Sequence, residues 1–302
     1  MSDADFPCEI RAEMRRAIRL EYWTVFWIGS IVLVMYLAMG TSQAMKSAWI
    51  EDLLSLVPAI VFLIAAHFER RDPDDKFRYG YSRVNSLTFL ISAVALVSVG
   101  SFLLFESART LLMQEHPSIG LISIGGHNIW LGWIMMAALT YSVVPPVILG
   151  HMKKPLASKM QDKVLHTDAL MQKADWTTGL AGILGITGVG LGFWWADALA
   201  AGFISFEILR DGIGRLRTST AELIDGMPRE LDRNDVAEDA RELERALQAK
   251  YPEAEIRMRE SGRYIQVQLI GVDAEEQPMK NIPLPERPWR LKGISIERFE
   301  QG

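Results

Sequence analysis

The residue most able to do chemistry in this chain is Asp175, an ionisable side chain inside the long apolar stretch Val164 to Phe193. Asp168 lies seven residues earlier on the same helix face, and Glu51 and Asp52 stand inside a second apolar stretch. A charged group in hydrocarbon costs roughly 2.5–3.5 kcal/mol on insertion scales, and more by other measures. Such groups persist where they line a path for an ion, a proton or a polar substrate. These carboxylates therefore form the candidate functional site.

The elements that must position these carboxylates are apolar stretches that recur up to about residue 215. About 20 apolar residues cross a bilayer as a helix. The sequence predicts a membrane all-α bundle of six transmembrane helices, with a very short turn before the last one. The predicted spans are Tyr22–Met39, Ala48–His67, Leu87–Leu112, Ile129–Gly150, Val164–Phe193 and Trp194–Leu209.

Positive charge clusters in alternate connections between these spans. Because cytoplasmic loops carry an excess of lysine and arginine, the pattern predicts an even number of spans with both termini in the cytoplasm. We therefore expect a multi-pass protein of the inner (cytoplasmic) membrane, surrounded by membrane lipid. The charges lie in the N-terminal arm (Arg11, Arg15, Arg16, Arg19), after span two (Arg70, Arg71, Lys76, Arg78, Arg83), after span four (Lys153, Lys154, Lys159, Lys163) and after span six (Arg210, Arg215, Arg217).

Charge and composition exclude several function classes. The formal net charge of −5, with no basic stripe, argues against a nucleic-acid partner. The single cysteine, Cys8, allows neither a disulfide framework nor a cysteine zinc site. The sequence has no nucleophile–base pair, phosphate loop or cofactor motif. An enzyme and a bound cofactor are therefore not predicted.

The remainder of the chain is charged and predicts a small soluble α+β domain. The resulting division is 1–19 for a cytoplasmic arm, 20–215 for the transmembrane domain and 216–302 for a cytoplasmic α+β domain. Because the core of that last domain is small, we expect it to pair with a second copy. Its predicted elements are a helix from Asp232–Asp235 to Tyr251, strands Glu255–Arg259 and Tyr264–Gly271 around a Ser261-Gly262 turn, and a strand Leu291–Phe299 after a proline-rich stretch.

Three segments resemble the cation diffusion facilitator (cation efflux) family of metal transporters. The loop after span two, ERRDPDDKFRYGYSRVNSL from Glu69 to Leu87, is similar to the family's hallmark loop. The start of span six, WWADALAA at Trp194–Ala201, and the exit AELIDGMP at Ala221–Pro228 resemble the corresponding family segments. The order of six spans and a small tail is also the family's layout.

The resemblance implies a homodimer that exports a divalent metal cation (zinc, manganese, iron or similar) in exchange for protons. It also implies a ferredoxin-like, metallochaperone-like tail and a tetrahedral site shared by spans two and five. Counting from the matched motifs places Glu51 and Ser55 at the span-two positions, and Met171 and Asp175 at the span-five positions. Met171 stands where the family has histidine.

Further site residues follow from the same comparison. Asp52 and Asp168 are additional candidate ligands, although Glu51 and Asp52 point about 100° apart on a helix, so at most one should face a shared ion. Lys173 is a candidate to neutralise a nearby carboxylate in the metal-free state, or to reach the membrane surface instead. The family resemblance also implies an accessory loop site at Asp74 and Asp75, and a charge pair between Arg83 and Asp225 at the hinge of the dimer.

The departures at Ser55 and Met171 keep two alternatives open. One is a non-transporting membrane sensor or assembly partner whose site has degenerated. The other is a transporter of a different cation. Carboxylates without histidine favour manganese, iron or a hard cation, whereas a methionine sulfur favours softer ions.

Overall fold

Six long helices carry most of the chain in the computed structural model, which describes residues 7–38, 43–114, 121–124, 127–193, 195–272 and 287–297. Four of the described helices are long and apolar enough to cross a membrane, over Arg11–Leu37, Trp49–Phe68, Arg83–Met113 and Gly132–Met160. The remaining two are more polar, because they carry several charged residues. The helices are α1 (Arg11–Ala38), α2 (Gln43–Phe68), α3 (Arg83–Met113), α4 (Leu131–Met160), α5 (Lys163–Gly190) and α6 (Ala196–Leu223).

Two short strands separate α3 from α4. Strand β1 (Leu121–Ile124) pairs antiparallel with β2 (His127–Trp130), so that Ile129 lies opposite Ile122. The prediction that a fourth span begins at Ile129 is therefore wrong by two residues, since α4 begins at Leu131. A short apolar run with β-branched residues fits an extended strand as well as a helix, so its periodicity cannot separate the two.

The helices pack in close pairs, α3 along α6 and α4 along α5. A Cβ atom added at Gly100 in α3 would lie 2.7 Å from the main-chain nitrogen of Leu209 in α6. A Cβ atom at Gly179 in α5 would lie 2.6 Å from a methyl group of Val143 in α4. Small residues allow such close backbone approach inside membranes. Helix α2 lies against α1 and α5, and this brings its carboxylates towards Asp175.

The C-terminal region is a helix on a three-stranded sheet. Helix α7 (Glu238–Lys250) precedes β3 (Glu255–Ser261), β4 (Tyr264–Ile270) and β5 (Leu291–Glu297), in the order β3-β4-β5. The first pair is antiparallel and the second parallel. Leu243 and Leu247 of α7 pack on apolar side chains of the sheet. The predicted strands are present, while 298–299 of the last one lie outside the described residues.

Helix α7 begins later than the sequence predicts. The start signal at Asp232–Asp235 forms a turn instead, in which Val236 makes an isolated bridge to Arg229. The side-chain oxygen of Asn234 accepts a hydrogen bond from the Thr218 hydroxyl of α6 at 3.0 Å. The prediction fails because aspartate and asparagine favour turns as strongly as helix caps.

Candidate functional site

Helices α2 and α5 place the predicted carboxylates together inside the bundle. Glu51 is 3% exposed, Asp52 8% and Asp175 7%. Asp175 lies within electrostatic range of Glu51 and Asp52 of α2 and of Asp168 on its own helix. The structure therefore brings the candidate acids of the two helices within electrostatic reach of one another.

These acids have few partners of their own. In the described part of the chain, neither carboxylate oxygen of Asp175 has a hydrogen-bond partner, and one oxygen each of Glu51 and Asp52 also lacks one. Ser55 lies beside Asp175, but its hydroxyl donates to the main-chain oxygen of Asp52 at 2.8 Å. Buried polar atoms are normally satisfied, so a group of unpaired carboxylate oxygens indicates a place for a cation or protons.

Met171 lies on the same helix as Asp175 but in an apolar environment. It is fully buried and belongs to a cluster with Leu96 and Val99 of α3 and Ile208 of α6. A buried methionine in such surroundings contributes dispersion contacts and fills irregular space. Its sulfur is therefore explained by packing alone in this structure.

Asp168 is engaged in a buried ion-pair cluster that the sequence did not indicate. Lys153 of α4 donates to Asp168 of α5 and to Glu21 of α1, the latter at 2.9 Å. All three side chains are 0% exposed. Lys153 is thus inside the bundle and not in a cytoplasmic loop, because α4 continues past Gly150 to Met160.

Lys173 does not take the neutralising role that its position suggested. Within the described residues it forms no ion pair, and it is half-buried and lines two cavities, one along α4 and one along α6 that Glu207 and Asp211 also line. Lys153 fills that role for Asp168 instead. The wrong expectation concerned Lys153: α4 runs ten residues, nearly three turns, past the predicted end at Gly150, and this makes a predicted loop lysine a core residue.

The acids are too few or too far apart to form a preformed metal cage. Among the residues the structure describes, no three side chains of His, Cys, Asp or Glu come together closely enough to hold a metal ion. The site instead offers carboxylate oxygens from two helices, with Ser55 beside them. Such oxygen donors suit hard or intermediate cations, which also keep water ligands.

The two loop acids lie outside the bundle and are exposed. Asp74 organises its own loop: it accepts the Tyr81 hydroxyl at 2.7 Å and the main-chain N–H groups of Phe77 and Lys76 at 2.7 and 2.9 Å. These bonds, with that of Tyr81 foremost, hold the pKa of Asp74 below its ordinary value. Asp75 lies next to it. In this conformation both oxygens of Asp74 are already in use.

Comparison with known proteins decides the family. The model of the cation efflux transmembrane domain matches residues 23–224, well over half of the chain. The chain belongs to the cation diffusion facilitator family. It is therefore a multi-pass membrane transport protein of the cation efflux type, and the family resemblance of its loop and helix motifs is confirmed.

Three curated relatives show how this cation diffusion facilitator compares with its family. The cation-efflux pump FieF of Shewanella oneidensis is 25% identical over 259 residues, covering 84% of this chain and 80% of FieF. The manganese efflux system protein MneS of Bacillus subtilis is 23% identical over 189 residues, 61% of this chain and 60% of MneS. The zinc transporter ZitB of Yersinia pseudotuberculosis is 25% identical over 185 residues, 59% and 53% of the two chains. The match thus spans less than two thirds of MneS and ZitB.

The hallmark loop of this family member lies beside the start of the C-terminal region. Arg83 at the start of α3 forms an ion pair with Asp225 after α6, and Arg259 of β3 reaches the same carboxylate at 3.4 Å. The Arg83 and Asp225 side chains are about half exposed, at 47% and 48%. Asp225 adopts a left-handed backbone with φ of 61°.

Behind this exposed pair lies a buried network that joins the bundle to the sheet, which we call the junction cluster. Arg263, in the turn between β3 and β4, is 3.1 Å from Glu69 and also pairs with Asp162. Lys163 of α5 donates to Glu222 at 3.2 Å and to Glu260 of β3. Each of the six side chains is nearly or fully buried, and the partners are far apart in sequence.

The turn of the junction cluster needs glycine. A Cβ atom at Gly262 would lie 2.6 Å from the main-chain oxygen of Ser82, and its φ of +64° favours glycine as well. The Gly262 N–H donates to the Ser86 hydroxyl at 2.9 Å. Burial raises the pKa of Glu69 to about 7, although Arg263 opposes the shift. Both the contact of this turn with α3 and the cluster were missed, since they depend on distant segments.

Proposed function

We propose that this cation diffusion facilitator exports a divalent metal cation from the cytoplasm in exchange for protons, by alternating access through the carboxylates between α2 and α5. The observation that carries the proposal is Asp175, which is buried near Glu51 and has no hydrogen-bond partner for either oxygen among the described residues. Glu51, Ser55 and Asp175 are the binding group, with Asp52 beside them. Met171 is the fourth family position, and its packing suggests that water replaces it as ligand.

Electrostatics supplies the coupling between metal and protons. Carboxylates that repel one another at close range can be neutralised either by a divalent cation or by protons. The two occupants exclude each other, because a metal ligand must be deprotonated. Release of the metal therefore favours protonation of the carboxylates, and the protonated transporter can return to its cytoplasm-facing state without a metal cation.

The donor set bears on which metal is moved. Carboxylate and hydroxyl oxygens without imidazole favour manganese or iron over zinc. Manganese is the ion in the name of the relative MneS, whereas zinc is that of ZitB. We therefore place manganese and iron first among the expected cargoes, with zinc after them.

The membrane arrangement of the proposal uses all six long helices. Helices α5 and α6 serve as the fifth and sixth spans; part of the charge on α5 is satisfied by α4, as in the Lys153–Asp168 pair. Both termini lie in the cytoplasm of a cell whose inner membrane holds the protein, with the division 1–19, 20–215 and 216–302. The ferredoxin-like tail pairs two copies into a homodimer, and the Arg83–Asp225 pair marks its hinge. Asp74 and Asp75 remain an accessory site only if the loop rearranges.

A second candidate function is a non-transporting sensor or assembly partner. It is favoured by the lack of a three-residue metal cluster in the described ranges and by the departures at Ser55 and Met171. Such a protein would keep the fold and its junction cluster while moving no ion.

Flux through reconstituted vesicles separates the candidates. Purified protein is placed in proteoliposomes with a pH gradient, and uptake of Mn²⁺, Fe²⁺, Co²⁺ and Zn²⁺ is measured together with counter-flow of protons. We expect divalent uptake coupled to protons in the wild type, and its loss in Asp175→Asn and Glu51→Gln. Glu106→Gln is the matched control, because Glu106 lies 3.9 Å from Arg109 on α3, away from the site.

Two results would count against export. Absence of flux for every divalent ion in the wild type favours the sensor. If Asp175→Asn transports divalent ions as fast as the wild type, the proposed site is wrong, although the protein is still a transporter. If only a monovalent cation is transported, the protein is a transporter of a different cation.

A further inference from the structure

A cavity of about 110 Å³ opens between α4 and α5, and none of the candidate transport carboxylates is among its lining residues. Its lining is basic and aromatic and contains no carboxylate. We call it the α4–α5 groove. It is lined by Gly150, His151, Lys154, Ala169, Lys173 and Trp176.

The two lysines of the groove form no ion pair with the described residues, although Lys173 also lines a second cavity with Glu207 and Asp211 of α6. Within the described residues neither Lys154 nor Lys173 forms an ion pair, whereas their neighbour Lys153 points inward to Glu21 and Asp168. Two like charges that share one cavity repel each other, and an anion between them removes the repulsion. Charge complementarity therefore favours a negatively charged occupant.

Exposed aromatic side chains near the groove indicate its depth in the membrane. Glu21 bonds to Lys153, next to Lys154, and the residues after Glu21 are Tyr22 and Trp23, which are 64% and 50% exposed. Tyrosine and tryptophan concentrate at the level of lipid headgroups. Trp176 of the groove itself adds a further ring. The groove thus lies at the headgroup level of the proposed cytoplasmic leaflet.

Exposed apolar side chains continue from the groove along both helices. On α4 they are Ile148 and Val144, which are 54% and 51% exposed. On α5 they are Leu180 and Leu184, at 42% and 69%. Both series run away from the cytoplasmic helix ends, so a basic pocket is followed by an apolar strip. This is the arrangement that an anionic lipid requires, with its phosphate in the basic pocket and its acyl chains along the apolar strip.

We propose that the α4–α5 groove binds the phosphate headgroup of an anionic phospholipid, with its acyl chains along the apolar strip. The proposal rests on the membrane orientation given under the proposed function, and not on any particular cargo. Basic pockets between transmembrane helices on the cytoplasmic side hold anionic headgroups by the same chemistry. The lipid contacts α5 at Lys173, two residues from Asp175 and on the opposite face, so it holds the helix that carries the transport carboxylate.

Lipid titration of the full-length protein tests the groove. Native mass spectrometry in detergent measures binding of phosphatidylglycerol, and of phosphatidylcholine with the same acyl chains, to the wild type and to Lys154→Gln/Lys173→Gln. The matched control is Lys76→Gln/Lys159→Gln, which removes two exposed lysines outside the groove. We expect the wild type and the control to prefer phosphatidylglycerol, and the groove variant to lose about fivefold in affinity per lysine.

A competition experiment with inorganic phosphate distinguishes binding of a lipid from binding of a free anion. Inorganic phosphate at the same concentration should leave phosphatidylglycerol binding unchanged, because it has no acyl chains for the apolar strip. Equal phosphatidylglycerol binding by the groove and control variants overturns the proposal. Displacement of the lipid by inorganic phosphate alone overturns the lipid as occupant, and loss of the dimer in the groove variant assigns the face to a second copy.

The readout is independent of transport. Asp175→Asn should keep wild-type lipid binding, since Asp175 lies inside the bundle and the groove outside it. If no divalent cation moves but the lipid preference is present, only the proposed function fails. If flux is normal and the preference is absent, only the groove proposal fails.

Discussion

The two buried polar regions of this protein treat charge in opposite ways. In the junction cluster, Arg263 and Lys163 meet their carboxylates directly. Between α2 and α5, Asp175 and Glu51 are as deeply buried, and among the described residues the carboxylate of Asp175 has neither an ion pair nor a hydrogen bond. The oxygens of Glu69 in the junction cluster also lack a hydrogen bond, but Arg263 lies 3.1 Å from one of them. Burying an unpaired charge is expensive, whereas a paired one can persist as structure. The difference supports the proposal that the first region is structural and that the second accepts a cation and releases it again.

Removal of Lys153 should have the largest effect on stability. Lys153→Met leaves Glu21 and Asp168 buried with no cation between them, and the expected loss is about 3–5 kcal/mol of unfolding free energy. Titration with sodium dodecyl sulfate in mixed micelles measures it. The variant Glu21→Gln/Lys153→Met/Asp168→Asn should recover most of the loss, because no charge then remains. A Lys153→Met protein as stable as the wild type would show that water already reaches this cluster.

Removal of Arg263 tests the junction side of the comparison. Arg263→Met leaves Glu69 and Asp162 without their arginine, and we expect a loss of about 3 kcal/mol. This value lies at the lower end of the range expected for a broken buried ion pair because the charge of Lys292 also acts on Glu69. The same unfolding measurement applies, with the exposed Arg257→Met on β3 as control. Equal stability of the two variants would contradict the assignment of the cluster as structural.

Glu69 should give the stability of the protein one component that depends on pH. Burial raises its pKa from 4.5 to about 7, so the folded protein holds a proton that the unfolded chain has lost between these values. The stability that Glu69 contributes should therefore be highest below about pH 4.5 and fall as pH rises to 7, by roughly 1.4 kcal/mol per pH unit at the steepest. Unfolding curves across this range measure it, and Glu69→Gln should flatten that component. An unchanged slope in Glu69→Gln would assign the effect to another group.

Removal of the charge at Asp175 should not appreciably lower the free energy of unfolding, in contrast to removal of Lys153 or Arg263. Asp175→Asn takes away a repulsion with Glu51 and no hydrogen bond, so stability should stay within about 1 kcal/mol of the wild type or rise. Divalent flux should nevertheless be lost. The unfolding and vesicle measurements are made on the same preparation. A destabilisation as large as that of Arg263→Met would erase the distinction between the two regions.

The exposed pair at the edge of the junction should matter least. Arg83 and Asp225 are about half exposed, and water-exposed ion pairs contribute about 0–1 kcal/mol. Arg83→Gln should therefore change the unfolding free energy by less than about 1 kcal/mol, also because Arg259 reaches Asp225. Asp225→Asn, which removes both contacts, should have the larger effect of the two. The reverse order would indicate that Arg83 has a partner of its own elsewhere.

The sequence predicted what depends on local pattern and missed what depends on tertiary contact. Apolar length indicated the helices, and the energetic cost of Asp175 identified the centre of the candidate site, which stays a prediction. Lys153 was assigned to the loop after span four, because only the length of α4 and its packing on α1 bury it against Glu21. No local pattern indicates that Arg263 meets Glu69, since these residues lie in separate parts of the chain.

The turn that carries Gly262 and Arg263 also sets an order of events during synthesis. Its residues leave the ribosome only after α6, so the six helices are made while Glu69 and Asp162 still lack their arginine. The end of a newly made bundle that carries Glu69 and Asp162 is therefore an open acidic socket. It closes only when a complete C-terminal region inserts this turn. A truncated chain keeps the socket exposed, and this gives the cell a chemical difference between finished and unfinished copies.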